Sequence, residues 1–340
     1  MTHEQVPSAS APPRMGIVAI GRNEGERLAR CLDSVMEFGY PVIYVDSGSM
    51  DGSVALAHEK GAVVVELDLS TPFTAARARN TGLARLLELY PEIPYVHFLD
   101  GDCEVVEGWL DAALQKIDEE QSIAAVWGLL IERHPEKSVY NRLADLEWRH
   151  TWPYGDTLYC GGIALMRINA CIESGLFNER LIAGEEPELC YRLRQNGYRI
   201  FRLRREMALH DVAMFRFSQW WRRGVRSGHG YAEGAWTHGT EPERYCVHEC
   251  LSILGWAGAL PVLILGAALL YGLWAFVLVF MYLLLAAKIT RYAVSQGMSY
   301  KHGMLYGCMC VLVKFAHLQG LLTFIWRRIR SRKPELVEYK

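Results

Sequence analysis

Residues 251–287 contain no Asp, Glu, Lys, Arg or His, and this uncharged run of 37 residues limits the fold of the chain more than any other feature. A single straight helix of that length would reach roughly 55 Å at about 1.5 Å per residue. The hydrocarbon core of a bilayer is only about 30 Å thick. The run therefore predicts two short spans with a turn near Tyr271 and Gly272, the alternative being one tilted span followed by an in-plane helix after Pro261. A buried helical hairpin of a soluble core is disfavoured, because few soluble chains run this far without a charge. Arg244 and His248 precede the run and Lys288 and Arg291 follow it. An even number of spans puts both flanks on one side, and their basic character makes that side cytoplasmic. A cytoplasmic-membrane protein with its N-terminal domain facing the cytoplasm is expected.

A third apolar stretch, residues 303–326, includes Lys314 and His317 and precedes Arg327, Arg328, Arg330, Arg332 and Lys333. Spanning here would carry that basic cluster outside, against the positive-inside tendency. Met304, Cys308, Val311, Phe315, Leu318 and Leu322 share one helical face, with Gly307, Cys310, Lys314 and His317 on another, which predicts a helix lying in the membrane surface. A third span is the alternative. At the other end, residues 1–14 lack the basic start and long apolar core of a secretory signal, and their Ser, Pro and Ala content predicts a flexible tail. The nine cysteines form no paired C-x-x-C knuckles and read as reduced, cytosol-facing thiols. With 36 basic and 38 acidic residues the net charge is −2, so no global field draws the chain to nucleic acid. Four segments follow: a tail at 1–14, an α/β domain at 15–250, a transmembrane hairpin at 251–287, and an interfacial helix with a basic tail at 288–340.

Within 15–250 short apolar runs alternate with helical patterns. Residues 17–20 (IVAI), 42–45 (VIYV) ending at Asp46, 63–65 (VVV) and 95–99 (YVHFL) ending at Asp100 read as strands. Between them, helices are expected at about 24–38, after Asp51, and at 75–89. This β-α-β-α order predicts a doubly wound, mostly parallel sheet whose ligand crevice lies beyond the carboxyl ends of the strands. The acidic clusters fall at those ends.

Asp100-Gly101-Asp102 follows a strand directly, so a turn brings two hard oxygen ligands near one point, as Mg²⁺ or Mn²⁺ and a metal-bound diphosphate require. Val45-Asp46-Ser47-Gly48-Ser49-Met50-Asp51 is a second polar elbow, suited to accept hydrogen bonds from a base and a ribose. Arg77, Arg79 and Asn80 open a helical run where guanidinium groups hold nucleotide phosphates or serve as ordinary surface charge. At Gly184-Glu185-Glu186-Pro187-Glu188, three carboxylates meet at a helix start, with Pro187 suited to the first helical position.

These residues, taken in order, resemble family-2 glycosyltransferases. AIGRNE (19–24), LDSV (32–35), VDSGSMDGS (45–53), ARARNTG (76–82), FLDGD (98–102), Gly161-Gly162 with Met166-Arg167, GLFNE (175–179) and GEEPELCYRLRQNGYRI (184–200) carry the resemblance over residues 16–210. It implies a GT-A type fold, a nucleotide-sugar donor, a divalent metal (Mn²⁺ or Mg²⁺) and inversion at the anomeric carbon. It further implies that Asp46, Arg79, Asn80 and Asp100 contact the donor, that Asp102 and His210 hold the metal, and that Glu186 is the general base, with Glu185 its rival. Trp220, Trp221 and Arg222 partly resemble the Q-x-x-R-W acceptor motif of processive synthases, but Arg223 stands in place of the tryptophan, and a non-processive enzyme is expected. An interfacial anchor is the plainer reading of that segment. The expected function is transfer of a sugar, UDP-linked foremost, to a lipid-linked or membrane-proximal glycan acceptor in envelope glycan synthesis. The alternatives are a polyprenyl-phosphate glycosyltransferase and a non-catalytic scaffold of a polysaccharide assembly. Sugar, linkage and oligomeric state stay open.

Overall fold

The computed structural model describes residues 12–330. The N-terminal part runs β1 (Met15–Gly21), α1 (Glu26–Met36), β2 (Val42–Asp46), α2 (Ser53–Glu59), β3 (Val63–Glu66), α3 (Ala75–Leu89) and β4 (Tyr95–Asp100). It continues through β5 (Cys103–Val105), α4 (Trp109–Glu119), β6 (Ile123–Glu132), α5 (Val139–His150), β7 (Gly155–Thr157), β8 (Ala164–Arg167), α6 (Ile168–Glu173), α7 (Glu185–Gln195) and β9 (Arg199–His210). The remaining helices are α8 (Phe217–His238), α9 (Val247–Ile253), α10 (Leu260–Tyr271), α11 (Phe280–Ser295) and α12 (Tyr300–Ile329).

The strands form one sheet in the order β3-β2-β1-β4-β8-β6-β9-β5, with β7 added on β9. The first four are parallel, as expected. Beyond β4 the sheet is mixed: β8 is antiparallel to both β4 and β6, and β6 is parallel to β9. β1, β2 and β4 are buried along nearly their whole length, which is why they read as continuous apolar runs rather than alternating ones. In α1, Leu28, Cys31, Leu32 and Val35 recur at helical spacing and are all buried. α3 begins where the Thr74 hydroxyl accepts the Arg77 N–H at 3.1 Å, and Gly82 seats it against the sheet: a Cβ there would lie 2.4 Å from Val18.

Register fixes the site. In β1, Gly21 pairs with Asp46 of β2 and Ile20 pairs with Asp100 of β4, so the two aspartates end the strands flanking β1 one residue apart in register, with side chains on opposite faces of the sheet. β5 lies antiparallel to the end of β9, with Cys103 opposite His210, which brings His210 beside Asp102.

Past β9, α8 joins the sheet domain to the apolar helices. The chain runs helically from α9 through a π-helical stretch (Leu254–Ala259) into α10. It turns at Gly272, whose φ is +64°, and returns through a 3₁₀ stretch (Gly272–Val279) into α11. Three helical segments, Val247–Tyr271, Val277–Ser295 and Tyr300–Ile329, are long and apolar enough to cross a membrane.

α12 is not detached from the sheet domain. It lies along α8, in contact so close that a Cβ on Gly228 would sit 2.1 Å from the His317 carbonyl oxygen, and one on Gly320 would sit 2.0 Å from that of Val225. Small residues at i and i+4 on both helices, Gly224 with Gly228 and Ala316 with Gly320, permit this approach. Farther up, Leu305, Tyr306, Met309 and Val313 pack on Leu143, Val212, Met214 and Trp220. Of the apolar face read from the sequence, Met304, Cys308 and Leu322 are exposed, whereas Phe315 meets the Tyr282 ring and Leu318 packs against Ala232 and Ile253. Lys314 and His317 do not form a separate wet face: Lys314 donates to the Ser252 hydroxyl at 3.0 Å and His317 meets the Tyr231 ring edge-on. Arg327, Arg328 and Arg330 end the helix, while Arg332, Lys333 and residues 1–11 of the N-terminal tail lie outside the described residues.

Candidate active site

Two cavities meet beyond the carboxyl ends of β1, β2 and β4. The smaller, of about 400 Å³, is walled by Arg22, Asn23, Arg27, Ser47 and Phe73. The larger, of about 570 Å³, runs from Asp100 past Glu185 and Glu186 to Trp148, Arg223 and Glu249. Ala75, Asp100, His210 and Arg226 line both and form the passage between them. The second cavity ends at α9, the first turn of an apolar segment.

Asp46 sits behind the first cavity rather than in its lining. Its carboxylate is 1% exposed and accepts the N–H groups of Gly48 and Ser49 at 2.8 and 2.7 Å, together with the Tyr44 hydroxyl at 3.1 Å. It fixes the shape of the loop that carries Ser47. A second clasp holds that loop to the end of β1, since Asn23 N–H donates to Ser49 Oγ and Asn23 Oδ1 accepts the Met50 N–H, each at 2.8 Å. Arg22 lies over the Phe73 ring at 4.5 Å.

Arg79 is 3% exposed and bridges two carboxylates: one nitrogen donates to Glu185 at 2.8 Å and another to Asp100 at 2.9 Å. Burial works to lower its pKa, but the facing Asp100 and Glu185 raise it above the ordinary arginine value. Asn80 points elsewhere. Its amide donates to the Phe177 carbonyl and to Glu179 and accepts the Phe177 N–H, clamping α3 to the 176–180 loop away from both cavities.

α7 begins at Glu185, with Gly184 before it at φ +78°, a left-handed conformation that glycine adopts without strain. Pro187 is thus the third helical residue, not the first, and the acidic pair forms the first turn of the helix. This suits the helix dipole, which favours negative charge at the N-terminus. The two side chains have opposite surroundings. Burial pushes the Glu185 carboxyl up, but Arg79 and Arg226 outweigh it and hold the group below the ordinary glutamate value. Glu186 lacks such a partner: burial dominates, the Glu185 charge adds to it, and its pKa is raised. Glu186 Oε1 accepts the Cys160 N–H at 2.7 Å and the Cys190 thiol at 3.0 Å.

Asp102 is 6% exposed and lies 3.1 Å from His210 Nε2. The imidazole stacks on Trp148 at 4.7 Å between ring centroids, burial lowers its pKa, and its Nδ1 is buried without a hydrogen-bond partner. Neutral imidazole and carboxylate are the donors that Mn²⁺ accepts, and the Asp100 carboxylate, about one-third exposed, faces the same passage. The group Asp102, Cys103 and His210 has its ligand atoms within 4.8 Å of one another. These residues fit a divalent cation.

The three residues of the partial Q-x-x-R-W motif line neither cavity. Trp220 is buried against Tyr140 and Phe217, Trp221 donates its indole N–H to Gln319 of α12 at 2.8 Å, and Arg222 is exposed beside the Ser218 carbonyl. The cavity side of α8 is instead Arg223, Arg226, Ser227, Gly230 and Tyr231. Their recurrence at three- and four-residue spacing was a usable signal in the sequence, whereas the contribution of Trp148 and Trp152 at the end of α5 carried none.

A strand-end crevice with paired carboxylates, walled by a parallel four-stranded half-sheet and closed by an acidic helix start, defines a GT-A type fold. Residues 17–175, a little under half of the chain, match the model of glycosyl transferase family 2, and this part of the chain is a family-2 domain. It is 29% identical over 213 residues to the pre-mycofactocin glycosyltransferase of Mycobacterium tuberculosis, covering 59% of this chain and 43% of that protein. Over 116 residues it is 28% identical to glycosyltransferase AglE of Haloferax volcanii, covering 32% of this chain and 36% of that one. The chain thus spans less than half the length of these curated relatives. Among solved structures, the mannosyltransferase PcManGT from Pyrobaculum calidifontis, in complex with GDP-Man and Mn²⁺, superposes with a TM-score of 0.64 at 17% identity over 95% of this chain and 90% of that one.

Proposed function

We propose that the protein is a membrane-anchored, inverting, non-processive glycosyltransferase that moves a sugar from a nucleotide-sugar donor onto a lipid-linked or membrane-proximal glycan acceptor. One observation carries this reading: a continuous path leads from the Ser47 loop, through Asp100 and His210, past the acidic start of α7, to the helix that opens the apolar segment. The nucleotide occupies the smaller cavity and the sugar lies at the passage. The acceptor enters the larger cavity between Arg223, Arg226 and Trp148. The family-2 match over residues 17–175 and a fold shared with a protein that binds GDP-Man and Mn²⁺ support the donor class and a divalent metal.

In transfer, the acceptor hydroxyl oxygen forms a bond to the anomeric carbon as the bond to the diphosphate oxygen breaks and its electron pair leaves with the nucleoside diphosphate. Attack from the opposite face inverts the centre. Glu186 takes the hydroxyl proton; its raised pKa makes it the better base of the pair, while Glu185 holds Arg79 in place toward Asp100. A divalent cation held by Asp102 and His210, with Asp100 beside them, would offset charge growing on the departing diphosphate. No carboxylic acid is needed for that leaving group, unlike in a glycosidase.

The test is a panel of UDP- and GDP-sugars with Mn²⁺ and membrane lipids, read as nucleoside diphosphate release. No release with any donor, combined with no metal-dependent donor binding by calorimetry, would leave the non-catalytic scaffold. Transfer to a phosphate-only lipid in preference to a lipid-diphosphate glycan would make the protein a polyprenyl-phosphate glycosyltransferase. Asp102→Asn should abolish turnover and weaken donor binding in Mn²⁺ far more than in EDTA, because it removes a ligand charge. Equal weakening in both buffers would refute metal ligation by Asp102.

For the anchor, we propose that residues 251–287 cross the membrane twice and that α12 lies in its cytoplasmic surface. Its packing along α8 between Leu305 and Phe324 supports this, since a helix held to the catalytic domain there has little freedom to leave for the bilayer centre. A reporter fused after Lys340 should read cytoplasmic; a periplasmic or luminal signal would make α12 a third span.

A further inference from the structure

We propose that Cys160, Cys190 and Glu186 form a second cation site, selective for a soft divalent metal such as Zn²⁺ and distinct from the hard-metal site at Asp102 and His210. The three ligand atoms lie within 4.8 Å of one another and all three residues are buried. The Cys160 and Cys190 sulfurs are 3.5 Å apart, and Cys190 Sγ is 3.0 Å from Glu186 Oε1. Tetrahedral Zn²⁺ with Zn–S near 2.3 Å and Zn–O near 2.0 Å sets its ligand sulfurs ~3.8 Å apart and sulfur and oxygen ~3.5 Å apart. Seating the ion therefore needs outward shifts of a few tenths of an ångström, within reach of side-chain rotation.

The three ligands come from elements held independently of any metal. Glu186 and Cys190 are i and i+4 on one face of α7, and Cys160 is on the loop between β7 and β8, its N–H already given to Glu186. Cys160 and Glu186 both line the larger cavity, which supplies an entry path and water for the fourth position. Two thiolates and one carboxylate with an open position suit Zn²⁺ and disfavour Mg²⁺ or Mn²⁺. On binding, two S–H bonds are lost, their protons pass to solvent, and two Zn–S bonds and one Zn–O bond form; nothing is oxidised. The consequence rests on the role given to Glu186: with its carboxylate on the metal, the base is withdrawn from the acceptor, so Zn²⁺ acts as a reversible inhibitor at a site that Mn²⁺ does not contest.

The experiment uses the full chain in detergent, reduced with a phosphine and freed of metal, titrated with Co²⁺ and read by visible and near-ultraviolet absorption. Tetrahedral thiolate-bound cobalt gives intense visible bands and sulfur-to-cobalt charge transfer, neither of which needs the enzyme to be active. Wild type should show them at one ion per chain, with Zn²⁺ bleaching them stoichiometrically and a large excess of Mn²⁺ leaving them. Cys160→Ser and Cys190→Ser should each lose most of the charge-transfer intensity while keeping the far-ultraviolet circular dichroism of the wild type. Cys171→Ser, a buried thiol outside the cluster, should keep the bands. Bands that survive in the Cys160→Ser/Cys190→Ser double variant would overturn the site, as would their absence from the reduced wild type. Loss of two thiols to a reductant-reversible bond, with no cobalt bands after reduction, would assign the pair to disulfide chemistry instead. Should no donor be turned over in Mn²⁺ while the bands appear, the transferase reading fails and the metal site stands.

Discussion

Glu186→Gln should lower turnover by about 10² to 10⁴ with little change in donor affinity, the loss typical of a missing general base. The amide keeps the size of the side chain, and its carbonyl oxygen can still accept the Cys160 N–H and the Cys190 thiol, so the helix start should stay as it is. What disappears is the basic carboxylate that burial has made more proton-hungry. Glu185→Gln should act differently. It weakens the hold on Arg79, and through Arg79 the placement of Asp100, so it should weaken donor binding more than it slows the bound complex. Stopped-flow or single-turnover rates beside calorimetric donor affinities separate the two effects. A dead Glu185→Gln beside a near-normal Glu186→Gln would move the base to Glu185.

Arg79→Met should destabilise the domain by about 3 kcal/mol, because removing the buried cation breaks both ion pairs and leaves Glu185 with only the charge of Arg226. For a domain of this size that is a fall of about 6–12 °C in thermal midpoint. Arg79→Lys keeps a charge but lacks the planar fork that reaches both carboxylates, so it should recover part of the loss. The pH dependence has a definite sign. Glu185 has a folded pKa below its unfolded one, so its contribution is complete above the ordinary glutamate value and fades as pH falls through the lower folded value. The gap between wild type and Arg79→Met, followed by thermal melting in detergent, should therefore narrow on acidification. An unchanged midpoint at neutral pH would show that the two carboxylates do not depend on Arg79.

Much of the scaffold was legible because its signals are local. Four apolar runs bounded by Asp or turn residues are the parallel strands, and α3 occupies residues 75–89 as its pattern predicted. Hydrophobic stretches too continuous for a surface strand mark buried ones, and the strand ends mark the crevice, so the carboxylates of the site could be named before any geometry. The turn at Gly272 also falls where the length of the uncharged run placed one.

Pairings across long sequence separations were not legible. That Asn80 faces the 176–180 loop rather than a ligand depends on where α3 sets down relative to α6. Trp220 and Trp221 were expected at the acceptor from a partial resemblance to the Q-x-x-R-W motif, yet a one-residue rotation about α8 decides whether a side chain meets the cavity or α12, and the packing of α12 made that choice. The glycines at 224, 228 and 320 are visible in the sequence, but that they seat two helices on each other requires both surfaces. The opposite pKa shifts of adjacent Glu185 and Glu186 belong to the same class, because a partner 106 residues away in the chain, Arg79, selects one of them. Sequence by itself determined the elements, their order and the kinds of groups at the strand ends, since periodicity and strand-end position are properties of neighbouring residues. Tertiary structure alone decided which of those groups face each other, because burial and charge pairing depend on distances through space that the chain's own spacing does not encode.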